Sequence, residues 1–188
     1  SAVMRVGSMS TCRLLLDRDL EPILQMVCRD RNRLALQSDL LSAYTLGIEN
    51  VLCLTGDHNI LGDHPDSQPV FDLEAVGLLQ AASGLMDGHD MAGEELDGSP
   101  EFFLGAVVTP RADPVEPQIM RMEKKMEAGA RFFQSQAVYD TDQFADFMQR
   151  VEGLDVPVLG GIVLLKSGGM ARFMNSNVSG LNGPDNLI

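Results

Sequence analysis

Two features of the sequence predict an α/β fold of the (β/α)8 TIM type, represented by about five consecutive βα units. Short runs that are apolar throughout alternate with amphipathic stretches, the pattern of parallel strands covered on both faces and each followed by a helix. The strand ends at Pro110 and Gln136 and the Gly160-Gly161 pair recur at a near-constant spacing, which favours a barrel over a doubly wound sheet.

The elements follow in order. Residues 1–18 read as a helix on Val3, Val6, Cys12, Leu15 and Leu16, and residues 22–28 as a first strand ending in Arg29-Asp30-Arg31-Asn32. A helix from Arg33 to about Leu46 carries Leu36, Leu40 and Ala43 on one face, with Leu34 and Leu41 beside them, and Gly47 suits its C′ position. Residues 50–54 form a second buried strand ending at Thr55-Gly56-Asp57, followed by a polar loop to about Pro69. Asp72 is the predicted N-cap of a helix bearing Val76, Leu79 and Met86. Residues 87–100 lack periodicity and read as a loop or insertion. Strand three spans 102–108 and closes at Thr109-Pro110; the helix after it uses Ile119, Met122 and Met126 and stops at Gly129. Strand four spans 131–136. A helix capped by Thr141 or Asp142 then buries Phe144, Phe147, Met148 and Val151. Residues 156–165 give strand five, and Ser167 to about Asn175 a last short helix.

A closed barrel needs eight strands and about 250 residues, so 188 residues with five strands are expected to be a single incomplete barrel domain lacking the first two strands and the last. Both ends read as cuts. Gly183-Pro184-Asp185-Asn186 looks like a turn before Leu187-Ile188, the start of a further element.

Composition excludes several functions. A 45% hydrophobic content argues against a disordered chain, and no apolar run approaches the roughly 20 residues of a spanning helix. The net charge of −13, from 27 acidic and 14 basic residues, argues against nucleic-acid binding. Cys12, Cys28 and Cys53 show no metal or disulfide spacing and read as reduced thiols of a cytoplasmic protein, Cys28 and Cys53 as core residues.

Chemistry in such a barrel sits where strands end. No Ser-His-Asp or Cys-His arrangement is present. Asp57, His58, Asp63, His64 and Asp66 offer metal-ligand types within one loop, but a solvated polar loop explains them better, and no metal is expected. Gly160-Gly161 and Ser167-Gly168-Gly169 read as phosphate loops or tight turns. Met120, Met122 and Met126 read as core filler. Asp57, following an apolar strand and a Gly, is placed either to tune a cofactor in a low-dielectric mouth or to cap a helix. Gln136, near a strand end, needs hydrogen-bond partners that a heteroaromatic ligand would supply.

The block 24–41, around Cys28-Arg29-Asp30-Arg31-Asn32, and the block 47–57, ending Leu54-Thr55-Gly56-Asp57, resemble the methylenetetrahydrofolate reductase family. Pro69-Val70-Phe71-Asp72, Phe103-Leu104-Gly105-Ala106, the block 124–136 ending Phe132-Phe133-Gln134-Ser135-Gln136, and Pro157-Val158-Leu159-Gly160-Gly161-Ile162 follow in the same order. The resemblance implies a flavoprotein barrel that passes hydride from NADH or NADPH to the flavin and then to 5,10-methylenetetrahydrofolate. The flavin is expected to be FAD, with FMN as the alternative. Asp57 matches the family carboxylate near flavin and pterin, and Gln136 the folate-contacting Gln. Gln25, Thr55, Gly56, Phe71, Asp72, Thr109 and Lys125 match flavin-lining positions, Lys125 by pairing with phosphate; Arg31 and Asn32 also lie within reach of such a ligand. Gln25 and Thr55 replace a His and an Arg of some members. The family's general-acid Glu belongs on the first barrel strand, upstream of this chain. The alternative to an enzyme is a scaffold flavin-barrel subunit that takes electrons from a partner. A homo-oligomer or a multi-subunit complex is expected.

Overall fold

The computed structural model describes residues 2–177. The turn expected at 183–186 and the apolar pair after it lie outside the described residues. Six helices and five strands alternate: α1 (Ser8–Leu16), β1 (Ile23–Val27), α2 (Arg33–Thr45), β2 (Asn50–Leu54), α3 (Ala75–Met86), β3 (Phe103–Val108), α4 (Glu116–Glu127), β4 (Phe132–Ala137), α5 (Thr141–Val151), β5 (Val158–Gly161) and α6 (Gly168–Asn177). The strands form one sheet in the sequential order β1-β2-β3-β4-β5, the order of a barrel and without the reversal of a doubly wound sheet. Two compact units emerge: Ser1–Ala106 with Lys125–Arg131, and Val107–Lys124 with the chain from Phe132 onward.

In the first unit β1, β2 and β3 pair in parallel, with Gln25 opposite Leu52 and Leu52 opposite Gly105. Leu24, Met26, Val51, Cys53, Leu104 and Ala106 are buried, alternating along the strands with the row that contains Gln25. α2 and α3 pack together, and α3 packs on β2. Leu36, Leu40 and Ala43 are completely buried in α2, as their spacing predicts. Leu34 is instead 74% exposed, because two residues along a helix is more than half a turn from Leu36. The face of α3 is Leu78, Leu79, Ala82 and Leu85; of the expected set only Leu79 lies at its centre, with Val76 and Met86 half-buried at its margins.

Several expected boundaries shift for identifiable reasons. α1 is confined to Ser8–Leu16, with Val6 76% exposed ahead of it and Cys12 its buried residue. Asp72 does not cap α3. Glu74 occupies that N-cap without a side-chain bond, and the Thr55 hydroxyl oxygen accepts the Ala75 N–H at 3.1 Å in its place. Residues 87–100 form a compact loop in which Asp90 accepts the Ala92 and Glu94 amides at 2.8 and 2.9 Å, and the Met91 amide donates to the Gln37 side chain on α2. Gly129 holds φ +114°, a conformation open to glycine, and a Cβ there would collide with Ser83 Oγ.

In the second unit β4 and β5 pair in parallel with a register shift between Gln134 and Ala137. α5 is capped by Asp140, one residue before the expected pair: its carboxylate accepts the Gln143 N–H at 3.0 Å, while Thr141 and Asp142 are already helical. Phe147 and Val151 form its buried face. On α4 Met122 is buried but Met120 is 58% exposed, so Met120 is no core filler. β5 is four residues long rather than ten, because β4 ends at Ala137 and leaves nothing for Ile162 onward to pair with. Ile162 and Leu164 are 84% and 78% exposed.

Leu40→Ala is expected to lower the unfolding free energy by about 3 kcal/mol in a urea titration, because a completely buried side chain leaves a cavity. Leu34→Ala is expected to change it by less than about 0.5 kcal/mol.

Candidate functional site

The strand ends of the first unit draw most of the expected site residues together. β2 runs out into Thr55-Gly56-Asp57 beside Arg29-Asp30 at the end of β1. Gly56 adopts φ +90°, and a Cβ there would lie 3.1 Å from Val27 Cβ and 3.5 Å from Arg29 Cβ. Only glycine admits so close an approach at that angle. Arg29 is 9% exposed. Its Nε and one terminal nitrogen donate to the two Asp30 carboxylate oxygens, both at 2.8 Å, and its other terminal nitrogen donates to the Asp57 carbonyl at 3.1 Å. The Arg29 guanidinium holds the Asp30 carboxyl below the usual range. The Arg29 carbonyl accepts the Val70 amide at 2.7 Å, which brings the 70–72 segment to the same place.

Phe71 sits there with φ +42°, an uncommon conformation for a non-glycine residue, its ring 6.1 Å from that of His58 and inclined by 24°. Strain of this kind persists where surrounding bonds over-determine it, and clusters at functional sites. Asp72 accepts the Arg33 amide at 2.8 Å and the Arg33 guanidinium at 2.9 and 3.0 Å. It therefore serves the N-terminus of α2, together with Asn32, whose side chain accepts the Ala35 amide at 3.1 Å. Arg31 pairs with Asp39 at 2.6 Å. Asp57 caps no α-helix, so the cap alternative from the sequence falls away; the 3-10 turn Asn59–Leu61 is capped by His58.

A cavity of about 670 Å³ opens beside this group. Gln25, Val27 and Leu54 line it along the strands, Arg29 and Arg31 at the strand end, Asn59 from the loop, and residues 2–9 ahead of and at the start of α1. Of the predicted site residues Gln25 lines it, while Thr55, Gly56, Asp57, Phe71 and Asp72 do not. Asn59 is 5% exposed; its amide nitrogen donates to Ser67 and its side-chain oxygen is buried without a partner. Lys125 lies on a different element. It occupies the end of α4, close in sequence to Arg131, whose amide bonds the Leu104 carbonyl near the start of β3.

In the second unit Thr109 follows β3, its carbonyl accepting the Ala112 amide at 3.2 Å. Gln136 on β4 is half-buried and lines a small cavity with Pro110, Arg111, Tyr139 and Phe144. The Tyr139 hydroxyl donates to the Val163 carbonyl at 3.0 Å, and burial raises its pKa. The Gly160-Gly161 pair is strand rather than loop, the Gly161 amide donating to Ser135 Oγ at 2.9 Å. Ser167 accepts the Met170 amide at 3.1 Å and starts α6.

Among the described residues no three His, Cys, Asp or Glu side chains converge as a metal site. His64 instead contacts Asp63 at 2.9 Å. The three cysteines are free and buried; burial pushes the Cys28 thiol up to about 11 and that of Cys53 further still. Among the same residues no helix is long and apolar enough to cross a membrane.

The family model described as methylenetetrahydrofolate reductase matches residues 1–188. The chain belongs to that family. Methylenetetrahydrofolate reductase 1 of Schizosaccharomyces pombe is 23% identical over 158 residues, covering 80% of this chain and 24% of that protein. The chain thus spans about a quarter of the length of that relative. Among solved structures a phosphonopyruvate hydrolase, a TIM-barrel enzyme, superposes with a TM-score of 0.52 at 16% identity, covering 81% of this chain and 51% of the other. That likeness concerns the fold, and it agrees with the partial barrel expected from the sequence.

Arg33, Arg29 and Tyr139 are the residues that sequence reasoning missed. Arg29 stood only within a polar strand end, and the partner of Arg33 lies 39 residues away, where no local signal points. Arg33 holds the Asp72 carboxyl at about 2, below its ordinary 3.8. A carboxyl depressed in the folded state adds stability above the ordinary value, and that contribution is lost as pH falls through the folded one. Arg33→Ala is expected to move the Asp72 titration in a carboxyl NMR experiment from about 2 back towards 3.8. The same variant should show a shallower loss of stability between those two pH values.

Proposed function

We propose that this chain supplies the flavin-binding part of a reductase that converts 5,10-methylenetetrahydrofolate to 5-methyltetrahydrofolate, using NADH or NADPH. The observation that carries this reading is the family match along residues 1–188. The cavity beside the strand ends supports a ligand of this kind. A cavity of about 670 Å³ is within the range of small-ligand sites, and it combines apolar walls from Val27 and Leu54 with polar side chains from Gln25 and Arg31. A bound flavin, FAD in the first instance, would take hydride from the nicotinamide and deliver it to the folate methylene carbon.

The chain's own residues bind and orient. Gln25 faces the cavity from mid-strand and offers both a donor and an acceptor to a heteroaromatic edge. Thr55 and Gly56 set the course of the backbone, one by capping α3 and the other by its close approach to β1. Asp57 then places a carboxylate at the strand end, where it orients the pterin and raises the cost of adding electrons nearby. Phe71, its ring stacked on that of His58, is a proposed flavin contact, and Asp72 keeps the 70–72 segment against α2 through Arg33. In the second unit the Gln136 amide is the proposed folate contact and Thr109 a flavin contact. Lys125, on α4, is the proposed partner of the flavin phosphate.

The full natural polypeptide is expected to purify yellow, with a flavin absorbance that bleaches on adding NADH or NADPH. A protein that binds no flavin defeats the reading. A yellow protein that bleaches only with a partner electron carrier would favour the scaffold alternative. Asp57→Asn is expected to keep the flavin, raise its potential and slow folate reduction by on the order of a hundredfold in stopped-flow absorbance. Unchanged folate kinetics would remove Asp57 from this role.

A further inference from the structure

We infer that Arg29 is a positioning residue for Asp57: its buried guanidinium, held in a fork by the Asp30 carboxylate, fixes the Asp57 main chain and so aims the Asp57 side chain. The inference rests on the role given to Asp57 above and adds the group that makes that role geometrically possible. Asp57 lies just past the last residue of β2, where the sheet no longer dictates the backbone. Gly56, immediately before it, is at φ +90° and is the most permissive residue available. A carboxylate on such a hinge would wander unless something outside its own strand held it. The something is Arg29, one position past Cys28, whose amide still bonds the Leu54 carbonyl at 3.1 Å and the Thr55 carbonyl at 3.2 Å.

The chemistry of the pair suits a clamp better than a ligand contact. Arg29 spends Nε and one terminal nitrogen on Asp30, both bonds 2.8 Å, which fixes the plane of the guanidinium. The remaining terminal nitrogen then points in a set direction and meets the Asp57 carbonyl at 3.1 Å. The bond goes to the Asp57 main chain, so the guanidinium meets the Asp57 carboxylate only through charge attraction and not through a hydrogen bond. Asp30, which is half-exposed, balances the charge, so the clamp does not present a bare cation to Asp57. The Arg29 carbonyl holds Val70 at 2.7 Å, so one residue ties the ends of β1 and β2 to the segment bearing Phe71. Lysine cannot reproduce this arrangement, because an ammonium is a point charge without a planar fork.

The test uses the full natural polypeptide and four variants: Arg29→Lys, Arg29→Met, Arg29→Met with Asp30→Leu, and Arg29→Met in an Asp57→Ala background. The paired Met/Leu change leaves no carboxylate without its partner and guards against simple misfolding. Amide exchange is read at residues 55–58 and, as a control for global opening, at Leu52 and Cys53. In Arg29→Met and in the Met/Leu pair, exchange at 55–58 is expected to rise about tenfold or more while the strand amides stay protected. Lysine should not restore protection. Unchanged exchange at 55–58, or full rescue by lysine, overturns the proposal. In the holoenzyme, Arg29→Met should lower kcat for folate reduction with little change in KM, and should add nothing once Asp57 is already Ala. Additive losses would mean that Arg29 acts on the ligand itself and would likewise overturn the proposal. If the protein binds no flavin, the functional reading fails, and amide exchange alone decides whether Arg29 positions Asp57.

Discussion

Parallel pairing is the constraint from which the site follows. A strand joined to its neighbour through a helix must run in the same direction, so the ends of β1 and β2 fall on the same edge of the sheet. Val27 lies opposite Leu54 in register, and the residues just past them therefore meet with no further instruction from the sequence. Arg29-Asp30 and Thr55-Gly56-Asp57 are the two polar ends so juxtaposed. The apolar character of the strands is what makes this edge chemically distinctive. Leu24, Met26, Val51 and Cys53 consume the space behind it, and polar groups concentrate where the strands stop.

Around that edge the polar side chains are mostly engaged with one another or with main-chain groups. Asp30 and the Asp57 carbonyl share Arg29, Asp72 is taken by Arg33, Asn32 caps α2, and Thr55 serves the first amide of α3. This division of labour separates residues that resemble one another in sequence. Asp57 follows a Gly at the end of β2 and Asp72 an apolar residue in the loop before α3, yet Asp72 holds helix and loop together through its carboxylate while Asp57 is held by its main chain. The strained Phe71 lies between these two anchors, Arg29 on one side and Arg33 on the other, and both hold its neighbours through hydrogen bonds.

The legible parts of the fold were those governed by local periodicity. The burial of Leu36, Leu40 and Ala43, the bounds of β2, and the stop at Gly129 depend on residue spacing or on backbone freedom, which a sequence displays directly. The errors fell on features settled at a distance. Asp72 looked like a cap for the helix that follows it and serves the helix before it, because Arg33 approaches from 39 residues away. The fifth strand looked ten residues long and pairs over four, because its apolar run outlasts its partner.

The sequence by itself determined the alternation of strand and helix, the acidic and reduced character of the chain, and the family to which its ordered blocks belong. Those properties reside in composition, periodicity and motif order, which need no third dimension. Only the tertiary structure decided which polar side chains at the strand ends are engaged with other groups of the chain. That distinction depends on who donates to whom across the sheet edge. Arg29 and Asp57 are 28 residues apart in the chain and 3.1 Å apart in the fold, and no local pattern in either segment encodes that bond.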